Sequence, residues 1–485
     1  MPQSTTIDSL DAKPKADVLF LLGLTLLAFL SRNYLLSDAY LVGDEVTTVE
    51  TAAERVQSLV NPAYYSLVLL SFKFLGVSEF AARLPAMLLG VLSVPVFFVT
   101  WRNIIGRNAA LIGSLLIIFS SWHLFYSQYA RFYSGVFLFG SLTFYLFYQA
   151  LLRDDLRRLA AALLAAGVGF LFHVTVAVAL AGCAVFALLI VIRGSSAAQA
   201  GLSRRVATIY LALCALGALA AIPFLWDIWQ GRQDRGVTWG SGPVKMVLQI
   251  AREAQLPIVV AALFGLAMML RRKAWLGVYF LVGTALPVAF VVVAAGFLNS
   301  RSVYMFYALP LFIALAAVLC EKVRRAVVSD HPLSAHALTV LLLALMTPEL
   351  LSHYTAKQSL DIRDAVAYID REYRSDDVVV SFLREFDYYA QDKFPVVGDI
   401  GHTKVDANNP AENLDTIIAE QNRVWLVLVR GRNPLARDLE AWLAKHSRLV
   451  WRRWEKRLDY TFKTYEIYLV EPCTASTLPA DPARQ

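Results

Sequence analysis

Residues 40–46 are YLVGDEV, and this stretch follows directly after the first long apolar segment of the chain. It places two neighbouring carboxylates, Asp44 and Glu45, where the chain should leave a lipid bilayer. A carboxylate near hydrocarbon loses hydration unless a partner compensates it, so a pair of acids here needs an explanation. Two explanations are available: a solvated loop, or functional acids above a membrane-embedded cleft. The rest of the chain decides between them.

The composition is that of an integral membrane protein. Of the 485 residues, 58% are hydrophobic and 17% charged, whereas soluble chains have about 45–50% apolar and about 25% charged residues. The formal net charge of +7 is better explained as a topology signal than as nucleic-acid binding, and no nucleic-acid partner is expected. The four cysteines, Cys183, Cys214, Cys320 and Cys473, form neither a disulfide framework nor a Cys-x-x-Cys metal site.

Apolar segments recur along the first 351 residues and predict a polytopic α-helical membrane protein. A bilayer-crossing helix needs about 20 apolar residues, and the first span runs over roughly 16–36. The stretch 64–75 is too short to cross and is expected to lie in the membrane interface. The other segments complete about eleven spans, at 82–100, 109–122, 132–151, 159–173, 174–192, 206–225, 247–270, 274–296, 303–320 and 335–351.

Basic residues give the orientation independently. With the N-terminus in the cytoplasm, every predicted inner loop is short and basic, as the positive-inside rule requires. This orientation places Asp44, Glu45 and the C-terminus outside. The inner-loop residues are Arg102 and Arg107; Arg153, Arg157 and Arg158; Arg193, Arg204 and Arg205; Arg271, Arg272 and Lys273; and Lys322, Arg324 and Arg325.

The composition changes near residue 352. Alternating patterns predict helices at 362–373 and 434–446 and strands at 377–382, 423–429, 449–454 and 463–470. We therefore expect a transmembrane domain over 1–351, whose first outer loop is 37–80, and a small extracytoplasmic α/β domain over 352–473. Residues 474–485 are expected to be a disordered polar tail.

The predicted outer face carries polar side chains that could serve a reaction. Arginines there could clamp a phosphate or could snorkel as membrane anchors, and aromatic residues there could form an interfacial belt. A histidine at the end of a span is more often a packing residue than a metal ligand. These residues are Arg83, Tyr126, Gln128, Arg131, Tyr133, His173, Arg301 and Tyr304.

If these groups converge, they could carry out a glycosyl transfer. A carboxylate could take a proton from an acceptor hydroxyl, and arginines could stabilise a departing phosphate. Nucleotide sugars stay in the cytoplasm, so transfer outside the cell needs a lipid-borne donor. One in-line displacement would invert the anomeric carbon.

Several stretches resemble the GT-C superfamily of glycosyltransferases that use polyprenyl-phosphate sugars. The similarity is greatest to the bacterial branch related to the protein O-mannosyltransferases and the lipid A aminoarabinose transferase. It covers about residues 16–350. The stretches are GDE at 43–45, NPAYY at 61–65, SEFAARLP at 78–85, GVLSVP at 90–95, SQYARFY at 127–133 and, more weakly, RSVYMFYALP at 301–310.

The resemblance implies that Asp44 is the catalytic base, with Glu45 beside it. It implies that Arg83 and Arg301 contact the lipid phosphate and that Gln128, Arg131 and Tyr133 line the substrate cleft. The implied partners are a polyprenyl-phosphate-sugar donor, a cell-envelope acceptor and membrane lipids, and the implied location is the bacterial plasma membrane.

Some relatives also bind a divalent metal near the lipid phosphate. The stretch VNPA at 60–63 lacks the charged residue that relatives carry there, which puts that metal in doubt and leaves the cofactor unknown. His173 is the one further metal-ligand candidate.

Two other functions fit the same membrane class. A transporter or flippase of a lipid-linked sugar should have charged or broken helices near the bilayer midplane and related halves, but the predicted spans look apolar at their centres and show no repeat. A polysaccharide polymerase or ligase usually carries its main polar loop late in the chain. A glycosyltransferase is therefore the favoured prediction.

Overall fold

The computed structural model describes residues 14–53, 61–233, 242–272, 274–297, 300–327, 336–359, 361–381, 383–397, 423–430, 437–456 and 462–470. The chain divides into two compact units. The first comprises Met1–Leu36 and Thr51–Leu350, and the second comprises Ser37–Glu50 and Leu351–Gln485. The predicted tail at 474–485 lies outside the described residues.

The part of the chain up to residue 359 is helical. A 3₁₀ helix at Ser302–Ala308 precedes α15. The α-helices are α1 (Pro14–Asn33), α2 (Asp44–Ala53), α3 (Pro62–Leu75), α4 (Glu79–Ile105), α5 (Arg107–Phe119), α6 (Ser121–Ser127), α7 (Tyr133–Arg153), α8 (Leu156–Phe172), α9 (Val176–Ile192), α10 (Gly194–Gln199), α11 (Arg204–Gln233), α12 (Pro243–Glu253), α13 (Leu256–Arg272), α14 (Ala274–Ala294), α15 (Leu309–Ala326) and α16 (Ala337–Ser359).

Long apolar helices account for the expected membrane spans only in part. Within the described residues, 6 helices are long and apolar enough to cross a bilayer, or up to 8 if each of two bent pairs is one span. The count of about eleven therefore stays a prediction. The apolar stretch 64–75 forms the short helix α3, and its place in the interface also stays a prediction.

Two predicted spans are broken in the structure. Helices α5 and α6 meet at an angle of 63°, and α12 and α13 meet at 94°. The predicted span over 247–270 bends at Gln255, which takes a left-handed conformation (φ 63°) between α12 and α13, and its crossing of the bilayer stays a prediction. Both breaks matter for the site, since they lie beside Tyr126 and Glu253.

Local sequence explains where several helices begin and end. Ser78 caps α4, because its side chain accepts a hydrogen bond from the backbone N–H of Ala81. Pro62 occupies the first turn of α3, where its missing N–H costs nothing. Gly106 has φ 91° between α4 and α5 and allows the chain to reverse there.

Aromatic side chains fill the core of the first unit. The rings of Phe97 and Trp101 stack with centroids 5.9 Å apart, and Phe280 packs 5.8 Å from Trp101. Two polar atoms among these rings are hydrogen-bonded: Trp101 Nε1 donates to Ser141 Oγ at 2.9 Å, and the Tyr279 hydroxyl donates to a backbone carbonyl at 2.6 Å. Hydrogen bonds between helices therefore accompany the aromatic packing of the bundle.

The second unit contains a five-stranded sheet. Its strands are β1 (Val378–Ser381), β2 (Val396–Val397), β3 (Val424–Arg430), β4 (Arg448–Lys456) and β5 (Phe462–Val470), in the order β2-β1-β3-β5-β4. The pairs β1–β2 and β1–β3 are parallel, while β3–β5 and β4–β5 are antiparallel. Its helices are α17 (Ile362–Glu372), α18 (Arg384–Ala390) and α19 (Arg437–His446).

The segment that carries the two acids belongs to the hydrophobic core of this second unit. Tyr40 is 3% exposed and packs in the cluster under the sheet. Its hydroxyl lies 2.9 Å from that of Tyr465 on β5, and the backbone N–H of Leu41 donates to the hydroxyl of Tyr389 at 2.8 Å. Arg384 forms an ion pair with Glu50. Residues on both sides of Asp44 are thus tied to α18 and β5.

Candidate functional site

The two adjacent acids have different surroundings at the start of α2. Glu45 is 1% exposed, and its Oε2 accepts the backbone N–H of Val42 at 3.1 Å. Glu45 therefore closes the first turn of the helix, because its side chain accepts a hydrogen bond from the backbone three residues earlier. Asp44 is partly exposed. Of the two, Asp44 is the one whose side chain an incoming substrate could reach.

A cluster of rings, here called the aromatic cluster, lies in the first unit where α6, α7, α8 and the 3₁₀ helix meet. It consists of Tyr126, Phe132, Tyr133, His173 and Tyr304. The His173 ring stacks on Phe132 at 4.5 Å and on Tyr304 at 5.7 Å, while Tyr126 packs 4.5 Å from Tyr133. Four members, Tyr126, Tyr133, His173 and Tyr304, were singled out from sequence, and the fold brings them together.

Charged groups surround the aromatic cluster. The guanidinium of Arg131 lies over the Phe132 ring, 4.8 Å from its centroid, a cation–π contact. The carbonyl of Arg301 accepts the backbone N–H of Tyr304 at 3.1 Å, and Glu253 accepts the hydroxyl of Ser302, the residue after Arg301. Arg301 is exposed, and Arg131 and Glu253 are partly exposed. Two guanidinium groups that solvent reaches therefore lie next to the aromatic cluster.

Glu253, the last residue of α12, was missed by the sequence analysis. It accepts hydrogen bonds from the Ser302 hydroxyl and from Gln249 Nε2, the latter at 2.8 Å. Gln249 Nε2 also lies 3.1 Å from Ser302 Oγ. These bonds tie α12 to the start of the 3₁₀ helix, next to Arg301. The available signal was a carboxylate inside an apolar stretch, which marks a functional candidate in a membrane protein.

Arg83 and Gln128 lie in different surroundings from the aromatic cluster. Arg83 is 2% exposed and Gln128 is 3% exposed. Arg83 Nη1 donates to the carbonyl of Leu36 at 3.0 Å. Gln128 Nε2 donates to the carbonyls of Arg32 at 2.7 Å and of Tyr34 at 2.8 Å. Both side chains thus bond to the backbone where the chain leaves α1.

The residues described do not fit a divalent-metal site. Among them, no group of three His, Cys, Asp or Glu side chains is placed to hold a metal ion. His173 Nδ1 accepts the backbone N–H of Thr175 at 3.3 Å and lies 2.8 Å from its hydroxyl. Nδ1 of His173 is therefore already hydrogen-bonded to Thr175 rather than open to a metal ion.

Comparison with known proteins identifies the fold. Residues 60–226 match the profile of the dolichyl-phosphate-mannose-protein mannosyltransferase family (PMT_2), about a third of the chain. The crystal structure of ArnT from Cupriavidus metallidurans bound to undecaprenyl phosphate superposes with a TM-score of 0.59 at 14% identity, covering 97% of this chain and 100% of that one. The chain has the GT-C fold.

Two further GT-C structures show the same similarity. ArnT in the apo state gives a TM-score of 0.58 at 14% identity, covering 93% of this chain and 97% of the other. The oligosaccharyltransferase of Archaeoglobus fulgidus in complex with Zn and sulfate gives 0.52 at 12% identity, covering 83% and 67%. None of the curated protein sequences matches this chain significantly. The resemblance predicted from the sequence is confirmed at the level of the GT-C fold.

Proposed function

We propose that this GT-C protein is a membrane glycosyltransferase that moves a sugar from a polyprenyl-phosphate donor to an acceptor of the cell envelope. The observation that carries the proposal is the aromatic cluster at the break between α5 and α6, with the solvent-reached side chains of Arg131 and Arg301 beside its rings. Guanidinium groups suit phosphate, and tyrosine hydroxyls suit sugar hydroxyls. The likeness to an ArnT structure bound to undecaprenyl phosphate supports a donor of that chemical class.

The reaction would be a single inverting displacement. The Asp44 carboxylate takes the proton of an acceptor hydroxyl, whose oxygen attacks the anomeric carbon of the donor sugar. The bond between that carbon and the phosphate oxygen breaks, and the electron pair leaves with the polyprenyl phosphate. The proton ends on Asp44. No step is routed through a metal ion.

The arginines would stabilise the departing phosphate. Its negative charge grows as the bond to the sugar breaks, and a preorganised cation that is already in place lowers the barrier to that step. Arg301 and Arg131 are the accessible cations of the aromatic cluster. Glu45 is assigned a structural part at the helix start, since its carboxylate already serves the N–H of Val42.

Replacing Asp44 tests the catalytic role. We expect Asp44→Asn to lower transfer by about 100-fold or more, the size of a lost general base, without changing membrane insertion. Glu45→Gln is the matched control, because its amide oxygen can still accept the N–H of Val42, and it should keep most activity. The measurement is mass spectrometry of cell-envelope lipids and glycans from cells carrying each variant or no gene.

Two results would overturn the proposal. One is near-normal transfer by Asp44→Asn, which would remove Asp44 as the base. The other is movement of a labelled lipid-linked sugar across the membrane without any covalent transfer, which would favour a flippase.

Orientation is a separate part of the proposal. The basic inner loops predict that the second unit lies outside the plasma membrane. A tag at the C-terminus should therefore be accessible to a protease in intact spheroplasts, with a cytoplasmic protein as the internal control. Protection of the tag until the cells are lysed would contradict this orientation.

A further inference from the structure

The chain leaves α1 through a strained turn. Leu35 has φ 56°, in the left-handed region, directly after the end of the helix. A glycine or asparagine usually occupies such a position, because a β-carbon there crowds the following carbonyl. The turn begins with the hydrogen bonds of Tyr34 N–H to Leu30 O at 3.1 Å and of Leu36 N–H to Asn33 O at 3.2 Å. A leucine persists in this conformation only when its surroundings impose it.

Two buried side chains supply that constraint. Gln128, the C-cap of α6, donates both amide hydrogens, one to the carbonyl of Arg32 and one to that of Tyr34. Arg83 on α4 donates to the carbonyl of Leu36. Carbonyls at the end of a helix lack partners inside the helix, and a cation there is also favoured by the helix dipole. These donors therefore bracket Leu35 on both sides.

The donors are themselves held in place. Helices α4 and α6 approach so closely at Gly90 that a β-carbon there would lie 2.2 Å from Ser127 Oγ, next to Gln128. Arg32, which is 0% exposed, reaches back from α1 to the carbonyl of Ile117 at 3.0 Å and to His123 Nδ1 at 3.1 Å. The end of α1 is thus bound to the broken helix α5–α6 on one side and to α4 on the other.

We propose that Gln128 and Arg83 are positioning residues that hold the left-handed turn at Leu35, a unit we call the exit clamp. The turn at Leu35 is followed in the chain by the segment that carries Asp44. This inference therefore rests on the proposed function of Asp44. A released turn would let Leu35 relax to an ordinary conformation and change the direction in which the chain leaves α1. The exit clamp should then affect turnover more than donor binding.

A double-variant cycle on the full-length protein in lipid nanodiscs tests this. Gln128→Met keeps the side-chain shape but removes the donors. We expect Gln128→Met to lower the apparent melting temperature and to lower kcat about tenfold, since the loss of one hydrogen bond raises a barrier by about that factor. The Kd for undecaprenyl phosphate should not change. Leu35→Gly adopts the left-handed conformation without help, so it should recover most of both losses in the Gln128→Met background.

Asn33→Gly is the matched control. It adds a glycine to the same segment at a helical position, so it should recover neither kcat nor melting temperature. The exit clamp is wrong if Gln128→Met raises the Kd for undecaprenyl phosphate, or if Leu35→Gly rescues no better than Asn33→Gly. Failure of the proposed function gives a different result. In that case Asp44→Asn stays active, while the melting temperatures still show whether Leu35→Gly restores the stability that Gln128→Met removes.

Discussion

The exit clamp and the aromatic cluster both draw residues from one short stretch of sequence, yet these residues have different surroundings. Gln128 and Arg131 are three residues apart in SQYARFY at 127–133. Gln128 is 3% exposed and bonds to backbone carbonyls, whereas Arg131 is partly exposed and lies over an aromatic ring. The difference shows that neighbouring polar residues can have two kinds of role. Gln128 donates hydrogen bonds to the backbone, whereas Arg131 can contact a ligand.

The physical reason for the division is the state of each donor before a ligand arrives. A buried donor that already serves a carbonyl would leave that carbonyl unsatisfied if it turned to a phosphate, at a cost of about 1–3 kcal/mol. A side chain that reaches solvent can meet a ligand from that side. Arg83 is therefore grouped with the exit clamp by its bond to Leu36, and Arg301 with the aromatic cluster by its exposure and by its backbone bond to Tyr304.

Replacing Arg301 and Arg83 should give the largest difference between the aromatic cluster and the exit clamp. Arg301→Ala should weaken binding of undecaprenyl phosphate by about tenfold or more, since a hydrogen bond to a charged group contributes about 1.5–3 kcal/mol. Arg83→Ala should instead lower the apparent melting temperature with little change in Kd. Ligand titration and thermal unfolding of both variants provide the measurement, with Arg301→Lys as the control that keeps the charge. Equal losses of affinity in Arg83→Ala and Arg301→Ala would erase the distinction.

A smaller effect is expected from Glu253, which links α12 to the 3₁₀ helix beside Arg301. Glu253→Ala breaks this link and should reduce transfer by about three- to tenfold, as expected for losing roughly one net hydrogen bond. Glu253→Gln retains an acceptor for the Ser302 hydroxyl and should stay close to the parent. Transfer rates of the two variants give the answer. If glutamine is as damaging as alanine, the charge of Glu253 matters rather than the link.

Much of the fold could be predicted because the signals are local. Apolar length predicted α4, α7 and α14 as membrane helices, and all three are long and apolar enough to cross a bilayer. Alternating patterns at 377–382 and 463–470 predicted strands, and β1 and β5 lie there. The break inside 247–270 was not predictable from hydropathy, because α12 and α13 are apolar enough only when taken together as one segment, and the bend arises at a single left-handed residue, Gln255.

The candidate site could be predicted less completely. The resemblance selected Arg131 and Tyr133, which lie at the aromatic cluster, and also Gln128 and Arg83, whose roles as substrate contacts stay predictions. Their bonds to the end of α1 depend on how α4 and α6 pack against it, and this packing leaves no periodic trace in the sequence. Glu253 and Arg32 were overlooked, although each is a charged residue within a predicted apolar span and could have been noticed on that ground.

The sequence alone predicted a multi-helix membrane protein with a resemblance to GT-C enzymes and two neighbouring acids after its first apolar segment, because hydropathy, charge bias and motif order are properties of the chain itself. Only the tertiary structure decided which of those acids is accessible, since Glu45 bonds back to Val42 and Asp44 does not share its burial. It likewise decided that Gln128 holds a backbone turn while Arg131 lies at an accessible ring. These roles depend on which distant groups meet in space, and sequence spacing does not record that.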